Sequence, residues 1–182
     1  MEAGKRGLEP RDITFAAVGV ALLSVSAWVT LPIGPVPFTL QTMALAFLLV
    51  GVGRTQALLA VLVYLALGGL GLPLFSGMRG GVAMLFGPTG GFLVGFAVAA
   101  VLAWFVRGAV RASTARDVAI VVGMIACSYG IGWAWLMVSA HMGALAAFGV
   151  AIAPFVIPDV VKCGCGIVLA RAVRRALPQL AG

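Results

Sequence analysis

The run Ile157-Pro158-Asp159-Val160-Val161-Lys162 places a carboxylate and an ammonium inside the last long apolar segment of the chain. Residues 143–169 contain no other charged side chain. Charges at membrane depth are costly, and they are rare unless they are paired or functional. Because residues three apart lie on one face of a helix, Asp159 and Lys162 can reach each other and a shared ligand. The run therefore predicts a polar site buried in an otherwise apolar helical protein.

Composition places this run in a membrane protein. The chain has 182 residues, of which 63% are hydrophobic and 9% charged, whereas soluble domains carry about 25% charged residues. A helical span needs about 20 residues. We therefore predict an all-α integral membrane protein with about six transmembrane helices. It is a single membrane domain, residues 1–182, that begins with a polar cytoplasmic head, residues 1–11.

Apolar runs give six predicted spans, residues 12–31, 39–52, 55–72, 90–107, 118–138 and 159–177. Prolines interrupt residues 31–38, glycines interrupt 71–91, and both interrupt 139–155, which we expect to be a loop or half-helix lying against the protein. Irregular backbone at membrane depth is tolerated only when it is buried or lines a cavity. These three segments lie on one side, so they predict a pocket that opens outward.

The basic residues orient the predicted spans. With the N-terminus in the cytoplasm, ten of the 12 Lys and Arg residues lie on the cytoplasmic side, and only Arg79 lies in an outer loop. This is the positive-inside pattern, which predicts that both termini are cytoplasmic. The net charge of +7 is thereby explained without nucleic acid, whose binding requires one basic stripe with interleaved aromatic residues.

Polar residues at the edges of two spans are further candidates for ligand binding. Thr39 and Gln41 follow the proline-rich turn and either bind a ligand or cap the second span. The turn Gly87-Pro88-Thr89-Gly90-Gly91 opens the fourth span. Backbone N–H groups at such a glycine-rich helix start can approach an anion or a carbonyl closely, although a plain loop cap has the same pattern.

Two helix faces are also open to two interpretations. Tyr129 and Trp133 lie four residues apart, so they could stack on an apolar ring system or belong to the core. Ala17 and Ala21 are small residues four apart in the first span, which favours close helix contact, either internally or with a partner subunit.

The sequence predicts no metal or other cofactor. The three cysteines, Cys127, Cys163 and Cys165, lie in apolar segments, and Cys-Gly-Cys lacks the spacing of metal ligands. There is no Gly-Lys-Ser/Thr nucleotide motif and no Gly-x-Ser-x-Gly nucleophile motif. Two alternatives to ligand binding by Asp159 remain. One is an ion pair with Lys162 that only fixes helix packing, and the other is an intramembrane enzyme that uses Asp159 as acid or base.

Four motifs in order resemble the BioY family, the biotin-binding capture (S) subunits of energy-coupling-factor transporters. They are PVPFTLQT at 35–42, YLALGGLGLPLF at 64–75, GPTGGFLVGF at 87–96 and IPDVVK at 157–162. The resemblance covers residues 15–177. It departs from the family pattern at Pro158, where a glycine is usual, and at Phe92, where tyrosine is common.

The resemblance implies a six-helix protein of the cell membrane that captures biotin beneath the loop between the first two spans. The family's carboxylate and lysine correspond to Asp159 and Lys162. The small-residue face at Ala17 and Ala21 would dock a transmembrane coupling subunit, and two separate ATPase subunits would hydrolyse ATP. A related S subunit for another vitamin is the alternative.

The chemistry of biotin agrees with these residues. Asp159 can accept a hydrogen bond from a ureido N–H, and Lys162 can donate one to the ureido oxygen. The tail carboxylate would then meet either the backbone N–H groups of the Thr89-Gly90-Gly91 turn or the side chain of Arg79.

Overall fold

The computed structural model describes residues 9–176, which form a helical bundle with one two-stranded antiparallel sheet. The helices are α1 (Pro10–Trp28), α2 (Gln41–Gly51), α3 (Arg54–Gly69), α4 (Val82–Phe86), α5 (Gly90–Ala109), α6 (Thr114–Ser139), α7 (Ala144–Ala151) and α8 (Val156–Ala176). The strands are β1 (Thr30–Leu31) and β2 (Phe38–Thr39). Residues 1–8 of the predicted head and residue 177 of the last predicted span lie outside the described residues.

Each predicted span coincides with a helix, but the helix ends differ. The first predicted span ends at residue 31, whereas α1 ends at Trp28. The reason is a hairpin in which Thr30 pairs with Thr39 and Leu31 pairs with Phe38. The prolines between the strands cannot continue a helix, so the chain pairs as extended strands instead. The prediction of a half-helix within residues 139–155 is confirmed by α7.

Three of these helices, α1, α5 and α6, are long and apolar enough to cross a membrane. The pair α7 and α8 is bent by 46° at a short break and gives a fourth candidate when it is counted as one span. Helices α2 and α3 are apolar but shorter. The prediction of a helical membrane protein is therefore confirmed, and the number of six spans stays a prediction.

Helix pairs α5–α6, α2–α8 and α1–α3 make the main contacts of the bundle. Glycines allow close approaches within the first two of these pairs. A Cβ at Gly95 of α5 would lie 2.6 Å from the Cα of Ser128 on α6, and one at Gly166 of α8 would lie 2.7 Å from the carbonyl oxygen of Met43 on α2. Small residues at such contacts let helices pack backbone to backbone in a membrane. Through these contacts α6 and α8 bring their polar side chains to the same region as the start of α2.

The start of α8 follows from its sequence. Pro158 lies in the first turn, as predicted, where its missing N–H costs no helical hydrogen bond. Asp159 closes that turn, and its backbone N–H donates to the carbonyl of Phe155 at 2.8 Å. The positive end of the helix dipole favours a carboxylate at this position.

Candidate functional site

A cavity lies between the β1–β2 hairpin, the α3–α4 loop and helices α2, α5, α6, α7 and α8. All three irregular segments predicted to converge supply wall residues, so their convergence is confirmed. The apolar wall is formed by Val36, Pro37, Phe75, Met84, Phe92, Leu93, Phe96, Ala151 and Phe155. The polar wall is formed by Thr39, Gln41, Thr42, Ser76, Thr89, Ser128, Tyr129, Asp159 and Lys162. A mostly apolar pocket with a few convergent polar groups is typical of a small-molecule site.

Asp159 is the centre of the polar wall. It is 3% exposed and forms an ion pair with Lys162 through Oδ1. The hydroxyl of Thr42 also donates to Oδ1 at 3.0 Å, and the hydroxyl of Tyr129 donates to Oδ2 at 2.7 Å. A buried carboxylate is tolerated only when it is paired and hydrogen-bonded. Three elements, α2, α6 and α8, therefore meet at one side chain.

Lys162 connects α8 to the hairpin. Its ammonium donates to the carbonyl of Thr39 at 2.8 Å and lies 4.1 Å from the ring centroid of Phe38. Phe38 in turn stacks on Phe155 with ring centroids 6.3 Å apart. An ammonium over an aromatic face is attracted by the ring quadrupole, more strongly where water is excluded. Lys162 is 8% exposed, so it joins the ion pair and the hairpin in one buried contact.

Thr39 and Gln41 both line the cavity, and their main contacts are internal. The backbone N–H of Gln41, the first residue of α2, donates to the Thr39 hydroxyl at 3.3 Å. The Gln41 side-chain amide donates to the hydroxyl of Tyr64 at 2.8 Å, and that hydroxyl donates to the carbonyl of Leu74 at 3.2 Å. These bonds hold the α3–α4 loop against α2. Direct ligand contact by either residue stays a prediction.

The predicted turn at the start of α5 contributes both to the cavity wall and to the packing of α5 on α6. Thr89 lines the cavity, whereas Gly90 and Gly91 do not. A Cβ at Gly91 would lie 2.8 Å from the carbonyl oxygen of Ile131 on α6, so glycine is required there by helix contact. The indole N–H of Trp135 donates to the carbonyl of Gly87 at 3.0 Å and fixes the turn to α6.

Of two other predicted ligand-binding residues, Tyr129 lines the cavity and Arg79 does not. Arg79 is exposed on the α3–α4 loop and is not part of the cavity wall. The ring of Tyr129 borders the cavity, but its hydroxyl is what ties it to Asp159. Trp133 points elsewhere, since its indole N–H donates to the carbonyl of Ala144 at 3.0 Å. The ligand roles predicted for Arg79 and Tyr129 stay predictions.

The structure partly distinguishes the two interpretations of the small residues of α1. Ala17 and Ala21 are exposed on the outer face of the helix. Ala16 and Gly19 are buried instead, and a Cβ at Gly19 would lie 2.6 Å from that of Ala60 on α3. Internal packing of this part of α1 therefore uses Ala16 and Gly19, whereas Ala17 and Ala21 are exposed.

Sequence reasoning missed Thr42 and Tyr64. The chain has two tyrosines, and a phenol within an apolar helix needs a hydrogen-bond partner, which is a signal that Tyr64 carries in the sequence. Thr42 directly follows Gln41 in an apolar run, but its partner Asp159 lies 117 residues away in sequence. Only the contact of α2 with α8 brings the two together.

Within residues 9–176 no group of three or more His, Cys, Asp and Glu side chains could hold a metal ion. The three cysteines are free thiols in the structure. A helical fold with membrane-crossing helices and an apolar cavity around one hydrogen-bonded ion pair defines a membrane protein that encloses a small polar ligand.

The chain belongs to the BioY family, whose model matches residues 2–179. It is 35% identical to the probable biotin transporter BioY of Pyrococcus horikoshii, over 92% of this chain and 98% of the relative. It is 34% identical to the biotin transporter BioY of Thermotoga maritima, over 84% of this chain and 79% of the relative.

A solved structure has the same fold. It is described as the crystal structure at 2.1 Å of the S-component for biotin from an ECF-type ABC transporter. The TM-score is 0.82 at 23% sequence identity, with 93% of this chain and 95% of that chain covered.

Proposed function

We propose that this protein captures biotin for uptake across the cell membrane, as the substrate-specific subunit of an energy-coupling-factor transporter. The names of its BioY relatives support biotin as the ligand. The observation that carries the proposal is the hydrogen-bonded pair of Asp159 and Lys162 in the wall of an apolar cavity. The protein is a transporter component and not an enzyme.

The polar wall has the capacity to bind a ureido group. A carboxylate offers about four lone-pair sites and an ammonium offers three N–H donors. Among the described residues Asp159 accepts three hydrogen bonds and Lys162 makes two contacts to oxygen. One acceptor site and one donor are thus left, and a ureido group presents an N–H beside its C=O. An analogue that lacks either group leaves a buried partner unpaired, which gives high selectivity.

The remainder of biotin is apolar until its tail. Aromatic side chains of the cavity wall, Phe92, Phe96 and Phe155, would enclose the thioether ring. The tail carboxylate would meet the start of α5 at Thr89, where helix N–H groups attract anions. Arg79 is the alternative, although it would have to move from its exposed position to reach the cavity.

We further propose six membrane spans with both termini in the cytoplasm and the cavity facing outward. The distribution of basic residues supports this orientation. The exposed alanines of α1, Ala17 and Ala21, would dock the transmembrane coupling subunit, which acts with two ATPase subunits. Substituting both alanines by leucine should abolish co-purification with the coupling subunit and leave biotin affinity unchanged, because neither residue lies near the cavity.

The deciding experiment is calorimetric titration of biotin into the purified chain in detergent, alongside Asp159→Asn. We expect tight binding by the wild type and a loss of about 10- to 100-fold in the variant, since hydrogen bonds to a charged group contribute about 1.5–3 kcal/mol. Thiamine and riboflavin, as ligands of other classes, serve as controls. Failure of the folded wild type to bind biotin would overturn the proposal, and binding of another vitamin would redirect it.

The orientation of biotin needs two more variants. If the tail meets α5 through the Thr89 hydroxyl as well as the helix N–H groups, Thr89→Val should weaken the binding of biotin more than the binding of biotin amide. Arg79→Ala should then have little effect on either. The reverse result would assign the tail to Arg79.

A further inference from the structure

A second concave site lies at the far end of α8 from the cavity. It is formed by the start of α6 and the last turns of α8, and we call it the arginine pocket. Its wall consists of Ala112, Ser113, Thr114, Asp117, Arg171, Arg174 and Arg175. Arg174 follows Asp159 by 15 residues on the same helix, which separates the two by about 22 Å. The arginine pocket is therefore independent of the ligand cavity.

The arginine pocket carries excess positive charge. Asp117 is 1% exposed and pairs with Arg116 at 3.2 Å, Arg171 at 3.4 Å and Arg174 at 2.6 Å. One carboxylate thus faces three guanidinium groups. Arg175 adds a fourth and makes no ion pair with any residue between 9 and 176. A bound anion would reduce this repulsion among like charges.

One donor at the arginine pocket also lacks a partner within residues 9–176. Nη2 of Arg171 is buried and has no hydrogen-bond acceptor among the described residues. Buried donors are rarely left in this state. The side chain of Arg171 is 29% exposed, so its guanidinium can turn toward an incoming ligand. The long helix α6 begins beside the same pocket, where the Ser113 hydroxyl caps the N–H of Arg116. The positive end of the helix dipole also favours an anion there.

We propose that the arginine pocket binds the phosphate of an anionic phospholipid. Exposed apolar side chains flank it on both helices, namely Val118 and Val122 on α6 and Val168 on α8. Such a surface suits acyl chains and offers nothing to a free phosphate ion. The inference rests on the proposed orientation, which puts these arginines at the cytoplasmic surface, where anionic lipids attract basic residues.

The test is native mass spectrometry of the full chain titrated with phosphatidylglycerol or phosphatidylcholine. Arg175→Gln removes the arginine that makes no ion pair within residues 9–176, and Arg171→Gln removes the one whose Nη2 has no acceptor there. Arg111→Gln is the matched control, because it removes one positive charge from the exposed connection between α5 and α6 outside the pocket wall. Biotin binding verifies the fold of each variant.

We expect phosphatidylglycerol to bind more tightly than phosphatidylcholine. Arg175→Gln and Arg171→Gln should each weaken the binding of phosphatidylglycerol about fivefold or more, and Arg111→Gln should weaken it less than about twofold. An equal loss in all three variants would overturn a defined site in favour of general surface attraction. Equal binding of the two lipids, or displacement of phosphatidylglycerol by soluble glycerol phosphate, would overturn the lipid assignment. If Arg171→Gln fails to fold, Arg175→Gln decides, because it breaks no ion pair.

Discussion

At the scale of single residues, the carboxylate of Asp159 is held by donors from three different helices. Lys162 supplies the charge, and the hydroxyls of Thr42 and Tyr129 supply neutral hydrogen bonds. The two kinds of partner should differ in what their loss does. Removing the charge leaves an uncompensated buried anion, whereas removing a hydroxyl leaves a paired one.

Lys162→Met should therefore destabilise the protein more than the double variant Asp159→Asn with Lys162→Met. Breaking a buried ion pair by removing one partner costs about 3–5 kcal/mol, whereas replacing both partners is often nearly neutral. Thermal unfolding of the wild type, Lys162→Met and the double variant in one detergent measures the difference in stability. A double variant less stable than Lys162→Met would show that the two charges contribute independently.

Tyr129→Phe should weaken biotin binding about tenfold with little loss of stability. The phenol of Tyr129 orients Oδ2 of Asp159, and a hydrogen bond to a charged group contributes about 1.5–3 kcal/mol. Trp133→Phe is the control, since Trp133 lies on the same helix but outside the cavity wall. Calorimetry gives both affinities, and an equal effect of the two substitutions would contradict a specific role for the Tyr129 hydroxyl.

At the scale of elements, α2 is too short to cross a membrane alone. Its 11 residues span about 16 Å, against a hydrocarbon core of about 30 Å. In the proposed six-span arrangement, the β1–β2 hairpin that precedes α2 would complete this span at membrane depth, where its backbone must be satisfied internally. The strand pairing and the bond from Lys162 to Thr39 supply part of that requirement.

Contact between α2 and α8 sets the distance from Thr42 to Asp159, and Gly166 lies at that contact. Gly166→Ala should destabilise the protein by about 1–3 kcal/mol, because the added methyl overlaps the carbonyl of Met43 and the side chain of Ala46. Gly164→Ala, on the same helix, places its methyl in open space. It should be neutral or slightly stabilising in thermal unfolding. Equal melting temperatures of Gly166→Ala and Gly164→Ala would mean that α8 can shift away from α2 without loss of stability.

The sequence was sufficient for the long helices, but it was insufficient for the short elements α4, β1 and β2 and for the contacts between elements. Apolar runs located the helices, and prolines located the breaks, because both signals are local. The end of α1 was wrong by three residues, since strand pairing of Thr30 and Leu31 with residues 38–39 depends on a partner across the loop. Asp159 and Lys162 were found because a charge in an apolar run is conspicuous. The contact of Thr42 with Asp159 was missed because two helices must meet to create it.

At the scale of the whole molecule, the cavity and the arginine pocket lie at opposite ends of α8. The proposed orientation then makes one end external and the other cytoplasmic. In a cysteine-free background, Arg79→Cys should react with an impermeant maleimide in intact cells. Arg111→Cys should react only after the membrane is permeabilised. Both residues are exposed, so access depends on the side of the membrane alone. The opposite labelling pattern would invert the topology.

The bond from Lys162 to position 39 ends on a main-chain carbonyl. Every amino acid supplies that oxygen, so a change of side chain at position 39 leaves the attachment of the hairpin in place. A change at position 162 removes the attachment and the partner of Asp159 together. Attachment of the hairpin therefore places no demand on the side chain at position 39, which is constrained instead by its contacts with Gln41 and the cavity. The same attachment opposes evolutionary drift at position 162, so the anchor of the hairpin stays the same amino acid.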